Sequence, residues 1–309
     1  MTFDLIVFGH LTHDIIVTSD KGIHESLGGV ATYTSLTAAK LGAVVGVVTK
    51  VGMDFRDEYL EYLQKAKIDL LGLEVKMGKT TVFENSYDEW GKRTQRLLSH
   101  MEPIGSEDIP AAYFNAKCFH FGPVFHEISY DTIKLARAKR ILTSLDPQGY
   151  CRERGPNHVV ELRRWVEAKE VLPYVDILKC DETEAEKLTG TGDLGKAAKL
   201  IYGLGPSIVL ITQGVKGSIL CYEDALERVP VIPAEKLVDS TGAGDAYAAG
   251  FIVEYLRTKD PKRSALYASC VASFVVEGVG TTTLPIRGMV MKRLHAFLKR
   301  SLEIKNSYH

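Results

Sequence analysis

Asp239-Ser240-Thr241-Gly242-Ala243-Gly244-Asp245 leads directly into Ala246-Tyr247-Ala248-Ala249-Gly250-Phe251-Ile252-Val253. From Ala243 to Leu256 only Asp245 and Glu254 carry charge, and apolar or small residues point nearly all round. A helix apolar on every side is normally a core helix, so the stretch reads as a loop feeding a buried helix. The first turn of a helix leaves backbone N–H groups without intrahelical partners, and glycines let an anion approach them closely. An anion cradle and a carboxylate thus share one turn.

Phosphoryl transfer to an alcohol requires that pairing. The N–H groups can hold negative charge on the moving phosphoryl, while Asp245 accepts the proton of the attacking hydroxyl. The residues alone leave a second reading open, a helix start whose Asp merely complements the dipole by about 0.3–1 kcal/mol. A helix N-terminus also favours the carboxylate form, which works against Asp245 as a base.

Asp239 to Asp245 resembles the C-terminal signature of the PfkB (ribokinase-like) carbohydrate kinases, Asp-Thr-x-Gly-Ala-Gly-Asp, with Ser240 in the usual Thr position. The resemblance runs along nearly the whole chain. It implies an α/β fold, a three-layer, mainly parallel sheet flanked by helices, with a small β-sheet lid. Residues 1–309 would form a single kinase domain, the lid coming from about 12–27 and 73–98. It further implies an ATP- and Mg²⁺-dependent kinase, with Asp245 as base and the N–H groups of Gly242, Ala243 and Gly244 as anion hole. In some relatives backbone oxygens near the signature loop hold a monovalent cation such as K⁺, which points to Asp239 and Thr241.

Composition is that of an ordinary soluble globular protein. The chain has 309 residues, 45% hydrophobic and 25% charged, with net charge −1, an ordinary globular balance. Near-neutral charge gives no reason to expect a nucleic acid or an anionic membrane as partner. No apolar run reaches the about 18 residues of a membrane span, and Met1-Thr2-Phe3-Asp4 lacks the basic region of a secretory signal. Cys118, Cys151, Cys180, Cys221 and Cys270 are scattered and odd in number. They read as small buried residues of a reducing compartment, and the expectation is a cytoplasmic protein.

Leu5-Ile6-Val7-Phe8-Gly9-His10 reads as a buried first strand. Asp14 follows just beyond it, where open α/β sheets bind ligands, and is expected to hold substrate hydroxyls. Gly28 and Gly29 precede a helix from Ala31 to Leu41. In the resembled family this first signature holds the sugar by backbone contacts, and Asn is frequent near the positions of Val30 and Tyr33. Val44 to Val51 reads as a second buried strand, and Val51-Gly52-Met53-Asp54 resembles the family's Val-Gly-x-Asp. From Leu73 to Leu98, β-formers alternate with Gly78 and Gly91 turns, and Lys76, Lys79, Lys92, Arg93 and Arg96 supply charge. Two or three short strands are expected there, with Glu84 and Asn85 on or near one of them and Asn85 able to reach acceptor hydroxyls.

Beyond Lys117 a βαβα rhythm argues a mainly parallel sheet covered on both faces. The strands are Cys118–Phe121, Ile141–Leu145 and Val175–Lys179, with helices over Asp131–Arg140, Val159–Ala168 and Glu182–Leu188. Asp146 and Gln148 stand at a strand end, which favours a site role. The family often has Asp-x-Asn with a nearby Arg here, so Gln148 and Arg152 are candidate substitutes. Lys179-Cys180-Asp181-Glu182-Thr183-Glu184 resembles the family's Asn-x-x-Glu motif, with Asp181 in the Asn position. By that resemblance Glu184 organises the water around Mg²⁺. Thr212, Gly214 and Gly217 match the Thr-x-Gly-x-x-Gly that lines the nucleotide phosphates. Gly190 to Ala197 nearly matches a phosphate-binding P-loop, but Ala197 lacks the required hydroxyl and the preceding segment reads as helix.

Asp14, Asn85, Asp146 and Gln148 suit a neutral polyol and resemble the inositol kinases of this family, so myo-inositol is the favoured acceptor, ahead of nucleosides. A phosphorylated acceptor would draw on the lid's Lys and Arg residues. A non-catalytic sugar-binding relative is the reading from another class, and retention of Asp239 and Asp245 with the glycines between argues against it. Lids of this family sometimes form dimer interfaces, which makes a homodimer through the lid a further expectation.

Overall fold

The computed structural model describes residues 2–18, 22–88 and 93–307. Gly91, Lys92 and residues 19–21 of the expected lid lie outside the described residues.

Short apolar runs build the main sheet. Strand β1 (Leu5–Phe8) is followed by β2 (Thr12–Thr18), β3 (Gly22–Gly28), helix α1 (Val30–Lys40), β4 (Val45–Gly52), α2 (Asp57–Lys65) and β5 (Asp69–Lys76). Next come β6 (Thr81–Tyr87), β7 (Arg93–Ser99), β8 (Cys118–Phe121), α3 (Tyr130–Ala138) and β9 (Leu142–Leu145). A short hairpin of β10 (Arg152–Arg154) and β11 (Val160–Leu162) precedes α4 (Ala168–Val171), β12 (Ile177–Asp181), α5 (Glu182–Thr189) and α6 (Leu194–Tyr202). The chain closes with β13 (Ile208–Thr212), β14 (Ser218–Tyr222), β15 (Ala225–Val229), α7 (Ala243–Thr258), α8 (Pro261–Val275) and α9 (Arg287–Ser307).

Nine strands form one sheet in the order β15-β14-β13-β12-β9-β8-β1-β4-β5. From β13 to β5 every neighbouring pair is parallel, and β14 alone is reversed, pairing antiparallel with both β13 and β15. Side chains alternate across the pleat, so Ile6 and Phe8 join one core with α3, α5 and α6. Leu5 and Val7 join the other, with α1, α7, α8 and α9. This is the three-layer arrangement that the resemblance implied. Its parallel strands end at one edge, which carries Asp146, Asp181 and Thr212.

A second sheet, in the order β3-β2-β6-β7, stands apart from the first. It takes residues 12–18, 22–28, 81–87 and 93–99. Residues 73–76, expected in this small sheet, instead complete β5 on the edge of the main one, paired with Thr49 to Gly52. The Val51-Gly52-Met53-Asp54 stretch makes the junction: Asp54 Oδ1 accepts from Thr80 N and Thr80 Oγ1, each at 2.8 Å.

The expected helix over 159–168 is replaced by the β10–β11 hairpin and an irregular approach to α4. Trp165 is the physical reason. It is buried, stacked on Tyr150 at 4.8 Å, and its indole N–H donates to Tyr130 Oη at 2.9 Å. That tertiary anchor overrides local helical propensity.

Glu254, fully buried on α7, accepts from Arg263 Nε of α8 at 2.8 Å and from Arg287 Nη1 of α9 at 2.7 Å. One carboxylate thus clamps three helices. Among the described residues no helix is long and apolar enough to cross a membrane. Removing one partner of a buried charge leaves that charge uncompensated. Arg287→Ala should therefore cost about 2–3 kcal/mol in urea unfolding. Lys65→Ala, which breaks only an exposed pair with Glu61, should cost at most about 0.5 kcal/mol.

Candidate active site

Helix α7 starts at the C-terminal edge of the main sheet. Gly242, its N-cap, has φ 76°, and a Cβ there would lie 2.1 Å from the Tyr33 ring. Only glycine meets both conditions. The N–H of Ala243 is spent on Ser240 O at 3.2 Å. Gly242 and Gly244 therefore keep the N–H groups of the expected anion hole that have no partner among the described residues. Asp239 Oδ1 accepts from Thr241 N at 2.9 Å and Thr241 Oγ1 at 2.7 Å, which fixes the loop.

Burial pushes the Asp245 carboxyl up to about 6. Lys179 and Arg152 pull it down, while Asp146 and Asp14 raise it further. The helix start favours the charged form, yet desolvation outweighs it. Asp245 is therefore poised close to neutral pH, as an effective base must be.

Asp14 lies on β2, with Thr12 Oγ1 donating to its Oδ1 at 2.7 Å. A Cβ at Gly28 would sit 2.3 Å from Asp14 Oδ2, so the carboxylate occupies the space that glycine leaves open. Burial again pushes the pKa to about 6. Gly29 is the N-cap of α1, where a Cβ would lie 2.4 Å from His10 O. Both glycines of the first signature thus have a packing reason of their own.

Asn85 shares the Asp14 face of the small sheet and is nearly buried, with Oδ1 accepting from Gln95 Nε2 at 2.9 Å. Glu84 faces the other way and pairs with Arg96 at 2.8 Å. Tyr33 reaches this region from α1, its ring lying against Gly242. Burial raises its phenol pKa, and the charges of Asp14, Asp245 and Asp239 raise it further.

Asp146 is buried, and its Oδ2 accepts from Lys179 Nζ at 2.7 Å. Its Oδ1 accepts from Gln148 N at 3.2 Å, and Gln148 Oε1 accepts from Arg152 Nη2 at 2.9 Å. The two residues expected to touch substrate therefore bind two cations. Sequence reasoning missed Lys179, a charge in the middle of the otherwise apolar part of β12; that charge, two residues before Asp181, is the signal that could have found it.

Asp181 and Glu184 form a reciprocal cap on α5: Glu184 N donates to Asp181 Oδ1 at 2.7 Å, and Asp181 N to Glu184 Oε2 at 2.8 Å. Burial, then Asp146 and Asp181, raise the Glu184 pKa. Two carboxylates, each with an oxygen outside that cap, form a donor set short of positive charge, which suits a hydrated Mg²⁺. Thr212 ends β13 and its hydroxyl donates to Cys180 O at 3.3 Å. Gly214 has φ 54° in the following turn. At Gly217 a Cβ would lie 2.3 Å from Val229 O, so packing requires that glycine.

The near P-loop is no such loop. Gly190 is the left-handed C-cap of α5, and Asp193 caps α6 through Lys196 N. His10 and His13 likewise stand outside the site. His10 contacts Thr81 Oγ1 and Glu102 O through its two ring nitrogens, beside His100 and Glu127. His13 stacks on Phe55 at 5.6 Å.

A buried carboxylate, unpaired N–H groups and buried cations at the edge of the sheet fit a phosphotransferase with a hydroxyl acceptor. The chain belongs to the pfkB family of carbohydrate kinases, whose profile matches residues 2–287. It is 33% identical over 257 residues to a cytidine kinase of Thermococcus kodakarensis, covering 82% of this chain and 89% of the relative. It is 30% identical over 331 residues to a nucleoside kinase of Methanothermobacter thermautotrophicus, covering 95% and 96%. Among solved structures, a pyrophosphate-dependent ribokinase-family kinase complexed with myo-inositol superposes with a TM-score of 0.75 at 26% identity, covering 93% and 99%.

The folded state holds the Asp14 proton more tightly than the unfolded chain does, so its stability contribution falls as pH rises from about 4 to about 6. Asp14→Asn should thus raise Tm at pH 7.5, with the gain fading near pH 4. The same variant, and Gly28→Ala, should raise the acceptor KM at least about tenfold, as loss of a hydrogen bond to a charged group predicts.

Proposed function

We propose that this protein uses ATP and Mg²⁺ to phosphorylate a hydroxyl of a ribonucleoside, with cytidine the first candidate. The observation that carries this reading is the similarity to the cytidine and nucleoside kinases, which exceeds that to the myo-inositol kinase structure. The Tyr33 ring beside Asp14 gives an aromatic wall suited to a nucleoside. Myo-inositol, favoured on the polar residues alone, becomes the second reading. Its support is the likeness to the kinase complexed with that cyclitol, while the binding of Asp146 and Gln148 to Lys179 and Arg152 takes two residues away from it.

Asp14 binds the acceptor's hydroxyls and Asp245 takes the proton of the attacking one. The N–H groups of Gly242 and Gly244 stabilise charge on the phosphoryl, with Asn85 lining the acceptor side. Mg²⁺, held through Asp181 and Glu184, would neutralise phosphate charge, and Thr212 and Gly214 border the nucleotide. Asp239 and Thr241 shape the loop in which a monovalent cation such as K⁺ would sit.

The whole chain acts as one kinase domain, and the small sheet is its lid, excluding water that would compete for the phosphoryl. The exposed Ile23 and Leu98 on the sheet's outer face suit a homodimer through the lid. Five buried free cysteines suit a reducing cytoplasm.

The test is ADP release with Mg-ATP across cytidine, other nucleosides, myo-inositol, ribose and fructose 6-phosphate. Cytidine should turn over fastest, and preference for myo-inositol would replace the first reading by the second. Asp245→Asn should lower kcat about 10²–10⁴-fold, and a loss under tenfold would remove Asp245 as base. Because the base acts deprotonated, kcat/KM should fall as pH drops through about 6 and level off above it.

A further inference from the structure

We infer that Lys179 is the cation that meets the transferring phosphoryl group, and that the Asp146-Pro147-Gln148 turn holds it and Arg152 around the start of α7. The inference rests on Asp245 as the reacting base but not on which acceptor is used.

The placement of Lys179 is electrostatically expensive. Its side chain is 7% exposed, and burying an ammonium costs several kcal/mol before any pairing. Its Nζ lies 2.8 Å from where a Cβ of Gly244 would be, over the first turn of α7. A helix N-terminus repels a cation, as it carries roughly half a positive charge. The ion pair with Asp146 offsets part of the cost, but buried pairs are often no more stabilising than apolar residues of similar volume. Two positive ends facing each other make sense when an anion lies between them. Lys179 donates one N–H to Asp146, and its other two have no partner among the described residues.

Arg152 completes the arrangement from the acceptor side. Nη2 is held by Gln148 Oε1, Nη1 donates to Val124 O at 2.9 Å, and the guanidinium lies 5.7 Å from the Phe83 ring centroid. The charges acting on it include Glu184, Arg93, Asp146 and Asp245. A single turn after β9 thus holds two cations whose charges both act on Asp245.

In the transfer, the acceptor oxygen bonds to the γ-phosphorus as the bond from phosphorus to the bridging oxygen breaks, its electron pair leaving with ADP. The hydroxyl proton passes to Asp245. Lys179 stays protonated throughout and donates a hydrogen bond to a phosphoryl oxygen.

Steady-state kinetics on Lys179→Met, Lys179→Ala, Gly244→Ala and the double variant Asp146→Asn/Lys179→Met test this, with Asp245→Asn as control and Tm measured for each. Lys179→Met should lose about 10²–10³-fold in kcat, the usual cost of one transition-state donor, with acceptor KM changed little. Gly244→Ala is a helical position where the new methyl meets only the end of the Lys179 chain. It should keep its Tm while losing kcat. Ethylammonium should restore part of the Lys179→Ala activity, and the double variant should remain as slow as Lys179→Met. Were Lys179 only the counter-ion of Asp146, the double variant would regain wild-type rate, Gly244→Ala would be silent and ethylammonium would do nothing. Any of these three results overturns the inference. Full activity in Asp245→Asn would instead overturn the assignment of the base, whatever Lys179 does.

Discussion

The rest of the molecule depends on one electrostatic constraint: the positive end of helix α7 must face a cluster of buried charge. Its far half is held by Glu254, which two arginines reach from α8 and α9. Its near end is set by the Asp239 turn and the left-handed Gly242. Between these anchors the helix is buried against the sheet, so its first turn cannot drift from the groups it serves. Rigid support of this kind keeps a site preorganised.

Close approach explains the glycines of the site better than flexibility does. Gly28 leaves room for the Asp14 carboxylate, Gly242 for the Tyr33 ring and Gly244 for the Lys179 ammonium. In each case a missing methyl lets a functional side chain reach the place where α1, α7 or the small sheet meets the cleft. The cost is dense burial of charge. Asp14 and Asp245 are both pushed up to about 6. Desolvation that weakens the fold at neutral pH also brings the Asp245 carboxyl into the range that the proposed base needs, a trade between stability and activity seen at many active sites.

The small sheet shows how topology brings distant sequence together. Asp14 and Asn85 are 71 residues apart in sequence, yet their strands β2 and β6 pair in parallel and present both on one face. Arg96 and Glu84 pair on the opposite face. Alternation along a strand is what separates the two sets.

Much was legible in the sequence because it depends on local pattern. Apolar runs marked the strands, and the signature from Asp239 to Asp245 marked both the family and the helix start. Asp245, Glu184 and the glycines around them could be named for the same reason: motif spacing along one segment fixes their mutual placement. Tertiary structure decided the rest. Trp165, buried between Tyr130 and Tyr150, replaced an expected helix by a hairpin. The β4–β5 pairing drew residues 73–76 out of the small sheet. Asp146 and Gln148 proved to be bound to Lys179 and Arg152. Partners of a buried charge come from separate strands, and their identity follows from which side chains converge in the folded cleft. Spacing along the chain carries no record of that convergence.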